Sequence, residues 1–454
     1  MVDSITVSLL LLAWFAPPLM PVHGRVRLPA GILKISEEWR IPQDAADLEI
    51  EGAPEGTTLR AADGFTGRAM LVVEKARNIR IRNVTFDGNR AMLERPSGLP
   101  PHDVPFSRHT KASAILLEGA SGITIEHVRF QNVAGFAVLA SSCKGVTIAA
   151  VTVEDSGSRN EKGRNNATGG ILLEEGVEDF AVVSSVFRRV LGNAVWTHSN
   201  YRSPRNARGR IAGNRFEQVG RDAIQIGHAT EVVVENNTGF LIGWPLEVVD
   251  VEGGGTPVAM DTAGNVDHSV YVRNRFEEIN GKCIDLDGFH HGSVRRNVCI
   301  NRKTADGYPF GHFAIVFNNS NPDMQSEEVR VEDNLIDGAK FGGIFLIGSR
   351  HVVARNQMQR LNLAGCTENA AQFGCHYLEG EPDLLRSGIY LGRRAERPAP
   401  AVDNRIEDNT ISGYRMSTRC IAAAPGVSLA ANRIARNRCS DTEDGWKGSR
   451  TTKP

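Results

Sequence analysis

The sequence predicts an all-β solenoid, a parallel β-helix of about thirteen coils. Three observations predict it. A short asparagine phrase returns every 22 or 23 residues, alternating strands fill the intervals, and glycine, asparagine and aspartate separate those strands.

The phrase is asparagine, any residue, then an apolar residue. It occurs at Asn214, Asn274, Asn297, Asn334, Asn356, Asn409 and Asn432, and the pair Asn236-Asn237 divides the first gap. The successive spacings, 23, 37, 23, 37, 22, 53 and 23, reduce to a step of 22 or 23 with insertions. An alternating strand precedes most copies, as in Val232-Val233-Val234, Val270-Tyr271-Val272 and Val329-Arg330-Val331. A second strand of the form small, apolar, any, apolar lies further upstream, as in Ala223-Ile224-Gln225-Ile226, Cys283-Ile284-Asp285-Leu286 and Gly343-Ile344-Phe345-Leu346. No segment keeps an i, i+3, i+4, i+7 stripe long enough for a packed helix. A propeller blade needs roughly twice this period. Three short strands per step therefore make one coil, stacked about 4.8 Å from the next. Ile224, Ile226, Ile284, Leu286, Ile344 and Leu346 face inward as apolar columns. The recurrent asparagine is expected to form a ladder at one corner, where it suits a left-handed bend and its amide bonds the next rung.

Composition narrows the function classes. The 454 residues carry 52 Lys+Arg against 53 Asp+Glu, a formal net charge of -1. Nucleic-acid binding usually leaves a basic excess, so a nucleic-acid partner is not expected. Residues 7–16 form an apolar run too short to span a bilayer, followed by Pro17-Pro18 and by His23-Gly24. This reads as a secretory signal over residues 1–24, although residues 1–6 contain no lysine or arginine. The β-helix domain is expected over 25–445 and a disordered tail over 446–454. No other segment is apolar enough to cross a membrane. Of seven cysteines, Cys366 and Cys375 flank a polar loop and suit a disulfide in an oxidising compartment, and Cys283/Cys299 and Cys420/Cys439 could each pair within a repeat.

The chain resembles the pectin-lyase-like superfamily of right-handed parallel β-helix proteins. The resemblance rests on Leu28-Pro29-Ala30-Gly31, Ile41-Pro42, Leu48-Glu49-Ile50-Glu51-Gly52, Thr57-Thr58-Leu59-Arg60 and Phe86-Asp87-Gly88-Asn89-Arg90, and covers about residues 28 to 440. It implies a right-handed fold, and a superfamily of lyases, hydrolases, epimerases and non-catalytic members leaves the activity open.

Aligning coils on the inward residues gives two outward columns. The first reads Leu116, Leu139, Leu172, Trp196, Gln225, Asp285, Val316, Phe345 and Tyr390; the second reads Glu118, Ser141, Glu174, His198, Gly227, Asp287, Asn318, Ile347 and Gly392. An irregular coil, Val258-Ala259-Met260-Asp261, is expected to set Asp261 beside Asp287. Asp261, Asp285 and Asp287 thus gather on one face with His312 and His198. Carboxylates this close repel unless one holds a proton or a cation such as Ca²⁺ sits between them. Two chemistries use such a cluster: a glycoside hydrolase with one protonated and one ionised carboxyl, or a uronic-acid lyase or epimerase with a cation and a base. The order Asp261, then Lys282-Cys283-Ile284-Asp285, then Gly311-His312-Phe313 is similar to that of polygalacturonase-like hydrolases, with Gly281-Lys282 in place of their paired aspartates.

Two insertions flank this face. Residues 93–111 hold His102, Asp103, Arg108 and His109, and Pro101-His102-Asp103 resembles a uronan C5-epimerase motif. A polar loop that covers the sheet is the favoured account of their composition. Residues 244–256 carry Glu247, Asp250 and Glu252. The sequence therefore predicts a secreted or periplasmic, monomeric, carbohydrate-active protein that cleaves a polysaccharide. Asp261, Asp285, Asp287 and His312 are its expected catalytic residues, and Trp196, His198, Trp244, Phe345 and Tyr390 its expected substrate contacts. A lyase or epimerase, and a non-catalytic glycan-binding β-helix, are the alternatives.

Overall fold

A computed structural model describes residues 20–94, 100–250, 256–320, 326–366, 375, 380–416 and 420–442. Most of the expected signal and the whole expected tail lie outside these residues. The chain packs as two compact units, residues 1–238 with 243–255 and residues 239–242 with 256–454. Met20 is already buried and the Val22 carbonyl accepts from the Ala46 amide, so packing begins upstream of residue 25. Helix is confined to single turns, and none among the described residues is long and apolar enough to cross a membrane.

In the first unit, parallel strands Ala69–Glu74, Ser113–Glu118, Phe136–Ser141, Gly169–Glu174 and Val195–His198 stack residue on residue. Inward positions Ile115, Val138, Ile171 and Val195 are fully buried. The outward column Leu116, Leu139, Leu172 and Trp196 is buried as well. Near-continuous apolar strands are what a parallel sheet covered on both faces requires. The cover is the one-turn helix Phe106–His109, whose Phe106 ring meets Phe136 at 5.8 Å and Trp196 at 5.0 Å, both edge-on.

The second unit repeats the design in strands Val258–Asp267, Lys282–Asp287, Ile315–Asn318, Ile344–Leu346, Ile389–Leu391 and Ile421–Ala423. Asp285 pairs with Val316, Val316 with Phe345 and Phe345 with Tyr390, the expected outward column. Three disulfides, Cys283–Cys299, Cys366–Cys375 and Cys420–Cys439, all lie in this unit. Cys143, in the first unit, is a free thiol whose burial pushes its pKa up to about 11.

The asparagine ladder forms, with two differences from expectation. In the second unit Asn274, Asn297, Asn334, Asn356 and Asn409 are each joined to the next, and Asn409 donates to Asn437. Asn432 belongs to a second ladder, where the Asn404 amides donate to its Oδ1 at 3.1 and 3.0 Å. The phrase at Asn432 matches by spacing, but the last step of the first ladder is 28 residues. The second difference is conformational. The left-handed bend falls on the residue before each rung: Arg273 (φ 57°), Arg296 (56°), Asp333 (58°), Arg355 (56°), Asp408 (60°) and Arg436 (55°). That neighbour takes the strained turn, so the rung itself keeps its N–H and amide directed along the ladder.

Candidate functional site

Two acidic groups stand on outward strand positions, one in each unit. In the second unit, alternation along Lys282–Asp287 places Asp285 and Asp287 on one face, about 6.6 Å apart along the backbone. Asp261 lies directly opposite Asp285, about one strand spacing of 4.8 Å away, whereas Asp287 faces Asn318. The expected neighbourhood of Asp261 and Asp287 is therefore corrected. The strand Val258–Asp267 runs on for ten residues without the usual corner, so a count from its end slips by two.

The two carboxyls of this strand have unequal surroundings. Asp285 is 5% exposed; its Oδ2 pairs with the Lys282 ammonium, and its buried Oδ1 accepts no hydrogen bond among the described residues. Asp287 accepts from the Ser320 amide at Oδ1 and from Ser320 Oγ at Oδ2, both at 2.8 Å. Burial, with the Asp285 charge beside it, raises the Asp287 pKa against the pull of Ser320 and Lys282. His312 packs against Phe313 at 5.9 Å and Phe341 at 6.2 Å. Burial, with Lys282 and Lys340 nearby, holds its pKa down to about 3, so it is a neutral imidazole at physiological pH.

In the first unit, register sets His198 opposite Glu174. Alternation would send Glu175 to the other face, but its φ of 58° turns it back, and donor atoms of Glu174, Glu175 and His198 all lie within 4.8 Å of one another. Glu174 is fully buried and accepts from the Phe106 and Ser107 amides at 2.8 Å each. Burial raises its pKa to about 7 against those two bonds. Burial, with His228 nearby, lowers that of His198 to about 4. Beside this group lies a 460 Å³ cavity lined in part by Lys75, Ser107, Arg108, Glu175, Arg202 and Ser203. Sequence reasoning placed Glu174 and His198 in one column and missed Glu175. The available signal was a Glu-Glu pair at a strand end with histidine one coil later.

The expected sugar contacts divide differently. Trp196 is 7% exposed beneath Phe106, with His198 edge-on at 5.2 Å, and so presents no open ring face. Tyr390 is also closed: it is 1% exposed, stacks on Phe345 at 6.2 Å, and its hydroxyl donates to Glu381 Oε2 at 2.7 Å. The reason is the insertion supplying Leu363, Cys366, Leu384 and Leu385, which packs over that end of the column. Trp244 lies in the first unit, at a cis bond to Pro245. His102 is exposed and pairs with Asp103, while Arg108 of the same loop faces the cavity. Glu252 lies outside the described residues.

A family model described as the right-handed β-helix region matches residues 67–240. No curated protein matches the sequence. Among solved structures the chain is similar to the family 28 exopolygalacturonase of Yersinia enterocolitica, with TM-score 0.53 and 11% identity over 94% of this chain and 74% of that one. It is similar to the Dettilon tailspike protein gp208, with TM-score 0.50 and 16% identity over 74% of this chain and 60% of that one. A third likeness is to ORF18 of Geobacillus virus E2, TM-score 0.44 and 11% identity, covering 68% of this chain; the chain spans about half (54%) of that protein. Such identities carry the fold alone. Coil register, asparagine ladders and the match of residues 67–240 together make this chain a right-handed parallel β-helix protein.

Proposed function

We propose that the chain is a carbohydrate-active β-helix protein that hydrolyses a polysaccharide at Asp285 and Asp287. The observation that supports this most is the unequal pair on one strand. Lys282 stands on Asp285 as its counter-ion, while burial and the Asp285 charge raise the pKa of Asp287. A carboxyl beside a cation and a neighbour that holds its proton more tightly are suited to act as base and acid. A water activated by one carboxyl while the other protonates the departing oxygen is a single displacement with inversion. Asp285 Oδ1 takes a proton from a water, the water oxygen bonds to the anomeric carbon, the glycosidic C–O bond breaks, and Asp287 protonates the departing oxygen. Asp261, opposite Asp285, adds negative charge that favours the developing oxocarbenium ion.

The same residues do not fit Ca²⁺. The Lys282 ammonium already neutralises Asp285 and would repel a second cation, so no step runs through a metal there. The exopolygalacturonase of the same fold supports a polysaccharide as substrate. Three disulfides support an oxidising, secreted or periplasmic location.

The test is incubation with neutral and acidic polysaccharides, reading new reducing ends and the first anomer by NMR. Hydrolysis with inversion is expected, and Asp285→Asn or Asp287→Asn should each lower kcat by about 10²–10⁴-fold. A product absorbing near the ultraviolet edge would indicate β-elimination and overturn the reading. Glycan binding without turnover would make the chain a binding module instead.

A further inference from the structure

We propose that Glu174, Glu175 and His198 in the first unit form a binding site for a divalent cation of the Zn²⁺ class, separate from the hydrolytic pair. The starting point is charge. Many other carboxylates of this unit are met by arginines, as Asp155 is by Arg189 and Asp179 by Arg208, each at 2.7 Å. Glu174 and Glu175 are adjacent, largely buried, and have no cationic partner among the described residues. Adjacent buried carboxylates repel, and a metal ion is one of the few ways to hold both ionised.

The third member points the same way. His198 Nδ1 is buried and makes no hydrogen bond among the described residues, which for a ring nitrogen is unusual unless something occupies it. An imidazole with two carboxylates suits Zn²⁺ better than Ca²⁺, which prefers oxygen donors. Donors at about 2.0–2.2 Å from one ion lie at most about 4.4 Å apart. Closing the present 4.8 Å spread takes a shift of a few tenths of an ångström.

The ligands are also held from behind, as metal ligands usually are. The Phe106 and Ser107 amides orient Glu174, the Asn200 amide (2.9 Å) and Ser203 Oγ orient Glu175, and Phe106 and Trp196 pack edge-on against the His198 ring. Glu175 and Ser107 also line the 460 Å³ cavity, which supplies an entry path. Three protein ligands leave a fourth position for water or a ligand from that cavity.

The test uses the full chain stripped with a chelator and titrated calorimetrically with Zn²⁺ alone, then with Ca²⁺ alone. One Zn²⁺ per chain is expected, with Ca²⁺ at least about tenfold weaker. His198→Gln and Glu175→Gln should each weaken Zn²⁺ by tenfold or more, while Asp285→Asn leaves it unchanged. Glu175→Gln keeps an acceptor for Asn200 and a partner for Ser203, so it serves as the folded control, checked by circular dichroism. Bound Co²⁺ should show an absorption spectrum that His198→Gln alters. Absence of Zn²⁺ binding, or equal affinity in wild type and Glu175→Gln, overturns the site and leaves the hydrolase reading untouched.

Discussion

The acidic groups of the two units both include outward strand positions of the same repeat, and their charge is compensated in different ways. In the second unit the chain brings its own cation: Lys282 lies on Asp285. In the first, Glu174 is held by two backbone amides under the Phe106 turn, and no lysine or arginine among the described residues meets either glutamate. A solenoid can build both because each coil contacts only its neighbours, so the character of an outward position is set by one or two side chains and the loop above them. Charge supplied internally leaves an acid–base pair. Charge left unsupplied leaves a place for an ion.

The largest expected effect comes from opening the first group. Phe106→Ala removes a ring that packs against Phe136, Trp196 and His198 and anchors the turn holding Glu174. A buried Phe→Ala change costs about 3–5 kcal/mol, which a urea series should read as a large fall in midpoint. A loss below about 1 kcal/mol would mean that the turn is not the cover the apolar column needs.

Next is the internal cation. Lys282→Met leaves Asp285 buried beside Asp261 and Asp287 with no counter-charge, at a cost of about 3 kcal/mol. Asp285→Asn in the same chain should recover most of that loss, giving a coupling energy in a double-mutant cycle. Additive single effects would show that Lys282 and Asp285 do not depend on each other.

The sites were less legible in the sequence than the fold, for reasons visible in particular residues. The coils could be read because Ile115, Val138 and Ile171 recur at fixed places between turn residues, and alternation then orders Leu116, Leu139, Leu172 and Trp196 correctly. Asn334 and Asn356 were readable because a buried side chain that bonds its own copy must recur. Asp261 slipped because its strand lacks a corner, and Glu175 was missed because one positive φ reverses the face alternation assigns. Tyr390 read as exposed because nothing local announces that Leu384 and Leu385 fold over it. Periodicity reports the repeat and is silent where the chain departs from it, and both acidic groups include such a departure.

A smaller effect tests the first group directly. Glu175→Gln removes one of two adjacent charges and keeps hydrogen-bonding partners for Asn200 and Ser203. Without metal it should change stability by less than about 1 kcal/mol, in the stabilising direction. With Zn²⁺ in excess the wild type should become the more stable protein, because only it gains the full linkage to bound ion. Thermal midpoints measured with chelator and with Zn²⁺ should therefore cross over. Parallel responses would remove the distinction between the two units.

The smallest effect is a slope with pH. The folded pKa of Asp287 is raised, chiefly by burial and then by Asp285, above the unfolded value of about 3.9. A carboxyl of that kind contributes stability that is fully present below about pH 3.9 and is lost as pH rises through the folded value. Asp287→Asn carries no such proton. The variant should therefore gain on the wild type as pH is raised from about 4 to 7, with the change complete once the folded Asp287 has ionised. Urea midpoints of both proteins across that range measure the gain. If the variant instead falls behind as pH rises, Asp287 is ionised and stabilised in the native protein, and the acid in the proposed hydrolysis must be sought elsewhere in the row.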